Sequence, residues 1–151
     1  MHIDPRGPRF GAAITTIVLV IVLITGSTWL LAAQAAVFAV GAVFGLRYAP
    51  YGLIYQRLIK PRLGPPSELE AEAPPRFAQG VGLVFALVGV AGYAAGITVL
   101  GIVATAAALA AAFLNAAFGF CLGCEMYLII RRFWPARTPS ELADSDKEVA
   151  A

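Results

Sequence analysis

Only two cysteines occur in this 151-residue chain, and they stand three apart in "CLGCE", followed at once by Glu125. Two thiols at that spacing share one face of a helix, so the thiolate of one can attack a mixed disulfide formed by the other. At a helix N-terminus, unsatisfied N–H groups and the helix dipole also lower a thiol's pKa. Cys121 is then the nucleophile because it is the more N-terminal, Cys124 the resolving thiol, and Glu125 a proton acceptor. The plainer reading is two small polarizable side chains filling a helix contact. Zinc fits poorly, because the single histidine, His2, lies far off in the N-terminal tail and two thiols with Glu125 leave the tetrahedral set incomplete. Haem attachment needs a histidine where Glu125 stands. No metal and no cofactor is expected.

The elements that must position these groups are apolar. The chain is 60% hydrophobic and 13% charged, with a mean hydropathy of +0.79, which marks a membrane protein. Four spans are expected: about Phe10 to Thr25, Trp29 to Leu46, Phe77 to Ala95, and a fourth from Ile97 within a run that stays apolar to Ile130. Their composition favours helices, whose backbone bonds close within the segment. The eleven basic residues all fall before the first span, between the second and third, or after the fourth. By the positive-inside rule both termini and the central loop are cytoplasmic. A secretory signal ending near "AAQAA" at 32 to 36 is the competing reading, and the internal repeat counts against it.

That repeat shows in "PRFGAAI" at 8 to 14 and "PRFAQGV" at 75 to 81, and again in Phe44-Gly45 against Phe118-Gly119, Arg57 against Arg131 and Pro61 against Pro135. The expected fold is all-α and integral to the membrane. Four transmembrane helices form two parallel-repeat helical hairpins, at about 8 to 61 and 75 to 135, each followed by a cytoplasmic interfacial amphipathic helix. Residues 1 to 136 make one membrane domain, and 137 to 151 a disordered cytoplasmic tail. In the first copy, Tyr51, Ile54, Tyr55, Leu58 and Ile59 share an arc of "YGLIYQRLIK" opposite Gly52, Gln56, Arg57 and Lys60. A short capped stretch is expected at Ser67 to Glu70. Cys121 lies about 36 Å along a straight helix from Ile97, beyond a hydrocarbon core of about 30 Å, so the dithiol belongs at the cytoplasmic interface. Arg47 takes the position equivalent to Cys121 and either approaches it across the pseudo-axis or snorkels to phosphate. Arg47, Arg57, Lys60, Arg62, Arg76, Arg131 and Arg132 form the surface for headgroups and a protein partner. No nucleic-acid partner is expected.

Within the spans Thr15, Thr16, Gln34, Thr105 and Asn115 are the main polar side chains, and none ionises. An ion or proton pathway normally needs carboxylates or histidines at depth, so active transport by a monomer is disfavoured. Gly41 and Gly45, and the alanines from 104 to 112, suit close helix packing within the bundle or in a homo-oligomer.

"DPRGPRF", "LIKPRLGPPSELE", "PPRFAQGVG" and "LNAAFGFCLGCEMY" together resemble the hallmarks of domain of unknown function 4395, a family of small bacterial membrane proteins, over about Asp4 to Arg132. The resemblance implies the bacterial plasma membrane and association with thioredoxin-like proteins and rhodanese-type sulfurtransferases, near which such proteins are often encoded. The expected function is a thiol or sulfur-handling membrane protein that exchanges electrons or sulfane sulfur with such a partner. The alternatives are a structural or assembly subunit, and an oligomeric transporter of a small sulfur-containing solute. Whether the chain is an enzyme stays open.

Overall fold

The structure is a computed structural model that describes residues 2–66 and 68–134. It is all-helical apart from one two-residue strand pair. Helix α1 (Arg6–Thr25) is followed by α2 (Thr28–Val43), and α3 (Pro50–Ile54) continues through a π-helical turn, Tyr55–Ile59, and a 3-10 turn, Lys60–Arg62. Helices α4 (Ala73–Ala94), α5 (Thr98–Phe118) and α6 (Leu122–Phe133) complete the chain. Strands β1 (His2–Ile3) and β2 (Glu70–Ala71) pair antiparallel, His2 opposite Ala71. His2 is therefore tied to the end of the central segment rather than lying in a free tail. The capped stretch expected at 67 to 70 involves Ser67, which lies outside the described residues, as does the tail from 135 onward.

Helices α1, α4 and α5 are long and apolar enough to cross a membrane; α2 is a shorter apolar helix of 16 residues. The second apolar run ends at Val43 rather than Leu46. Gly45 turns the chain there with a left-handed φ of 98°, which only glycine adopts without strain. The first helix begins earlier than its apolar run, at Arg6, because Asp4 accepts the Arg6 N–H at 3.0 Å and opens the first turn.

The bundle is interleaved. The most extensive contacts are α2 on α4, α1 on α5 and α4 on α5, whereas α1 and α2 touch lightly. Its interior holds Leu19, Val22, Leu31, Phe38, Ala35, Ala86 and Ala108, along with the buried polar side chains of Thr15, Gln34 and Thr105. Large apolar side chains such as Ile24, Trp29 and Val99 face outward, 79%, 87% and 72% exposed. Large apolar side chains on the outside as well as in the core, with glycines at the closest helix contacts, fit helices packed in lipid, where close backbone approach replaces a hydrophobic driving force.

The buried Thr15 and Gln34 side chains are hydrogen-bonded, whereas the buried Tyr93 hydroxyl has no partner among the described residues. The Gln34 amide donates to Thr15 Oγ1 at 3.3 Å, and its carbonyl accepts from the Tyr51 hydroxyl at 2.8 Å. Tyr55, 4% exposed, donates to Asp4 Oδ2 at 2.8 Å. These bonds pin α3 and the turn after it onto α1 and α2. Of the apolar arc expected there, Tyr51 and Tyr55 turn into the bundle, while Ile54 and Leu58 face away from it, 41% and 58% exposed.

At the far end α4 and α5 nearly touch. A Cβ on Gly92 would come within 2.6 Å of the Gly101 N and 3.1 Å of its Cα, and both are backbone atoms that cannot swing aside. Gly92→Ala is therefore expected to destabilise the bundle by about 1–3 kcal/mol, read as a lower unfolding midpoint in detergent. Gly80→Ala, where a Cβ meets nothing within 4 Å, should not lower it. Equal midpoints for the two variants would contradict the close approach.

Candidate functional site

The site is built where α5 stops. Gly119 adopts a left-handed φ of 69° and its N–H bonds to Asn115 O at 3.0 Å, the bond of an αL helix C-cap, while the Phe120 N–H reaches Leu114 O at 3.3 Å. The chain then turns, and Cys121 takes an extended conformation as the N-cap of α6. Its Sγ accepts the Cys124 N–H at 3.4 Å, and its carbonyl accepts the Glu125 N–H at 3.0 Å. The thiol thus occupies the place of a capping hydroxyl, among helix N–H groups that have no other partner in the helix.

Helix α6 is held against α4. A Cβ on the buried Gly123 would lie 2.6 Å from both Cα and Cβ of Ala78, so the glycine between the cysteines is there for close approach. The rings of Phe77 and Tyr127 meet at 5.8 Å farther along. Above the thiols lies a cavity of about 360 Å³ whose wall includes Arg9, Glu70, Asn115, Cys121, Cys124 and Glu125. Both cysteines are free thiols, partly exposed.

Their environments differ. The hydrogen bond from the Cys124 thiol is the largest influence on Cys121 and lowers its pKa from 9.0 to about 7; burial opposes this, the N–H groups of Cys124 and Gly123 assist it, and the Glu125 charge opposes it weakly. Cys124 is shifted strongly upward, first because it donates that hydrogen bond, then by burial and by the negative charges around it, Cys121, Glu70 and Glu125. One thiol is primed and the other holds its proton.

The expected basic residues are not all where the charge count put them. Arg47, Arg57, Lys60, Arg62, Arg131 and Arg132 are exposed. Arg47 and Lys60 line a separate cavity of about 260 Å³ with Tyr51 and Tyr55, and Arg47 is in the wall of neither cavity that Cys121 borders. Arg76 is not a surface cation: its guanidinium is spent on α2, donating from Nε and Nη2 to Ala42 O at 3.3 and 3.0 Å and from Nη2 to Val43 O at 2.8 Å. Arg131 leans on Tyr127, donating to its hydroxyl at 3.4 Å and lying 5.9 Å from the ring centre. The cation at the cysteine cavity is Arg9, whose Nη2 donates to Ala116 O at 3.4 Å. The repeated "PRF" carries the signal, since Arg9 and Arg76 occupy the same place in it and each meets the end of a helix. Glu70 comes to Cys124 through the β1–β2 pairing, for which single-sequence patterning gives no sign. Gly45 belongs to a turn, and a Cβ on it would press on the Glu72 carboxylate at 2.5 Å, so the Gly41/Gly45 pair is not a helix-packing stripe.

Alkylation consumes the thiolate, and a group whose pKa is lowered to about 7 is half ionised near pH 7. Iodoacetamide at pH 7 should therefore modify Cys121 in preference to Cys124, with a rate that rises with pH around a midpoint near 7. Glu125→Gln removes an opposing charge and should move that midpoint to lower pH. Peptide mapping by mass spectrometry checks both; equal labelling of the two thiols would refute the asymmetry.

No curated protein and no solved structure matches the chain. A family model described as "Domain of unknown function (DUF4395)" matches residues 3–132. The chain belongs to that family.

Proposed function

We propose that this is a four-span protein of the bacterial plasma membrane, a single membrane domain with both termini and the central segment cytoplasmic. Two copies of a helical hairpin followed by an interfacial segment form it, related by an axis along the membrane normal. Three features support the repeat. The left-handed glycines come as Gly26 and Gly45 in the first copy and Gly96 and Gly119 in the second. Arg9 and Arg76 each reach the end of the other copy's second helix. The contact of α1 with α5 has its counterpart in that of α4 with α2. The outward-facing Ile24, Trp29 and Val99 support a lipid surround, and α2 extended by Phe44, 66% exposed, is the fourth span.

Its function on this reading is to pass electrons or sulfane sulfur between the Cys121/Cys124 pair and a cytosolic thioredoxin-like or rhodanese-like partner. The observation that carries it is the N-cap position of Cys121, whose sulfur receives the Cys124 N–H in a cavity bordered by Arg9. A thiolate held there attacks the partner's disulfide or persulfide sulfur. A mixed disulfide or a Cys121 persulfide forms as the partner's S–S bond breaks and its thiolate leaves; Cys124 then attacks the Cys121 sulfur, the Cys121–Cys124 disulfide forms, and the partner's second thiolate or hydrosulfide departs. Glu125 and Glu70 are placed beside Cys124, where a carboxylate accepts the proton that leaves it. The exposed Arg57, Lys60, Arg62, Arg131 and Arg132 offer the docking face and the contact with anionic headgroups.

In cells, Cys124→Ser should accumulate a mixed disulfide or persulfide on Cys121 that is visible after acid quench and non-reducing electrophoresis. Cys121→Ser should accumulate none there. Absence of any adduct in both single variants, with phenotype retained in the double Cys→Ala variant, would remove the thiol reading in favour of an assembly subunit.

A further inference from the structure

Cys121 borders a second cavity, of about 350 Å³, whose wall includes neither Arg9 nor Glu70. It reaches from Cys121 into the bundle along Ala107, Ala108, Ala111 and Ala112 of α5, with Thr15 of α1 and Phe38 of α2 also in its wall. Phe85, Leu122 and Met126 also line it and are 39%, 39% and 45% exposed, so it adjoins the bundle surface at α6 and at α4, one of the proposed spans. Its volume falls at the small end of the range for ligand pockets, and its wall contains no charged side chain. Two carboxamides break the apolar lining, Gln79 and Asn115. Among the described residues neither makes a side-chain hydrogen bond, so both N–H₂ groups are available to an acceptor inside.

We propose that this cavity admits the ring of a membrane-soluble quinone, which oxidises the Cys121/Cys124 dithiol from the bilayer side. The proposal rests on the thiol reading above and names the second substrate of that site. A dithiol gives up two electrons and two protons together, and a quinone is the apolar molecule that takes both. A lipid chain accepts neither, and a charged oxidant finds no counter-charge in this wall. The carboxamides donate to the ring carbonyls, which draws electrons from the ring and orients it. The Cys121 thiolate adds to an electrophilic ring carbon, forming a C–S bond. Cys124 sulfur then attacks Cys121 sulfur; the S–S bond forms as the C–S bond breaks, and the electron pair leaves with the ring. The two protons lost by the thiols end on the two quinone oxygens, so dithiol plus quinone becomes disulfide plus quinol. A cytosolic dithiol partner reaching the sulfurs through the other cavity then reduces the disulfide, by the thiol–disulfide exchange proposed above run in the reverse direction, and the protein connects two phases.

The full chain in phospholipid nanodiscs, reduced and freed of reductant, is mixed with a decyl-substituted benzoquinone while quinone absorbance and protein disulfide are followed. One quinone should be consumed per disulfide formed. Ala111→Phe, which fills the cavity, should slow this by about tenfold or more, while iodoacetamide still modifies Cys121 at the wild-type rate. Should that variant lose its alkylation behaviour, Ala107→Leu replaces it as the filling change. Equal quinone rates in the filled and wild-type proteins overturn the proposal, as does consumption no faster than by matched dithiothreitol in empty nanodiscs. If either occurs while Cys124→Ser still traps an adduct in cells, the cavity assignment falls and the sulfur-exchange reading stands.

Discussion

The last carbonyls of a helix have no partner within it, and in apolar surroundings each one left bare costs several kcal/mol. Two of the helices here, α2 and α5, end beside a left-handed glycine at the basic end of the bundle and are met there by a guanidinium. Arg76 covers Ala42 and Val43, and Arg9 covers Ala116. Each arginine comes from the first turns of another helix, so the contact does more than satisfy oxygens: it fixes where one helix begins relative to where another stops. The direction in which the chain leaves Gly119 follows from this. So does the position of Cys121, two residues later, as the first group of α6.

The packing that surrounds this clamp uses small side chains because the outside of the bundle is as apolar as its inside. Gly92 lies against Gly101, Gly82 against the ring of Phe38, and Gly123 against Ala78. Where backbones or rings approach this closely, an added methyl group has nowhere to go, and the glycine contacts help fix the register of the helices alongside Leu31 and Phe38 of the core. Tight closure of α4 on α5 at the far end coexists with open space at the near end, where Ala107, Ala111 and Ala112 leave a cavity unfilled. Alanines at 107, 108, 111 and 112 are too short to fill the space that their helix and its neighbours enclose there.

Much of this architecture is legible in the chain. Apolar runs bounded by glycines mark the helices, and the match of Phe44-Gly45 with Phe118-Gly119 marks the bend before the cysteines, because a left-handed glycine imposes a turn whatever surrounds it. What patterning misses depends on partners distant in sequence. Arg76 counts as a loop cation until the end of α2 is brought to it. Arg9 looks like a topogenic charge, yet borders the dithiol because α1 packs on α5. Gly123 looks like a spacer between thiols, and its meaning is supplied by Ala78. Glu70 reaches Cys124 only through a two-residue strand pair, too short to carry any periodicity. Charge counting gives the side of the bundle on which these groups lie; it cannot tell a cation that faces water from one that caps a helix.

The segments that follow Gly45 and Gly119 are both turned by a left-handed glycine but are anchored by different contacts. After Gly45 the chain is anchored by buried hydrogen bonds, Tyr51 to Gln34 and onward to Thr15, and Tyr55 to Asp4. After Gly119 no tyrosine reaches inward in that way; α6 is held by the Gly123–Ala78 contact and the Phe77–Tyr127 rings, both made on α4 alone. The hydrogen bonds of the first segment leave a cavity of about 260 Å³ beside Tyr51 and Tyr55. Cys121 borders two cavities, one with Arg9 and Glu70 in its wall and one whose wall is largely apolar. A hydrogen-bonded segment after one left-handed glycine and a helix N-terminus flanked by open space after the other differ in what they leave accessible, and Cys121 stands at the second.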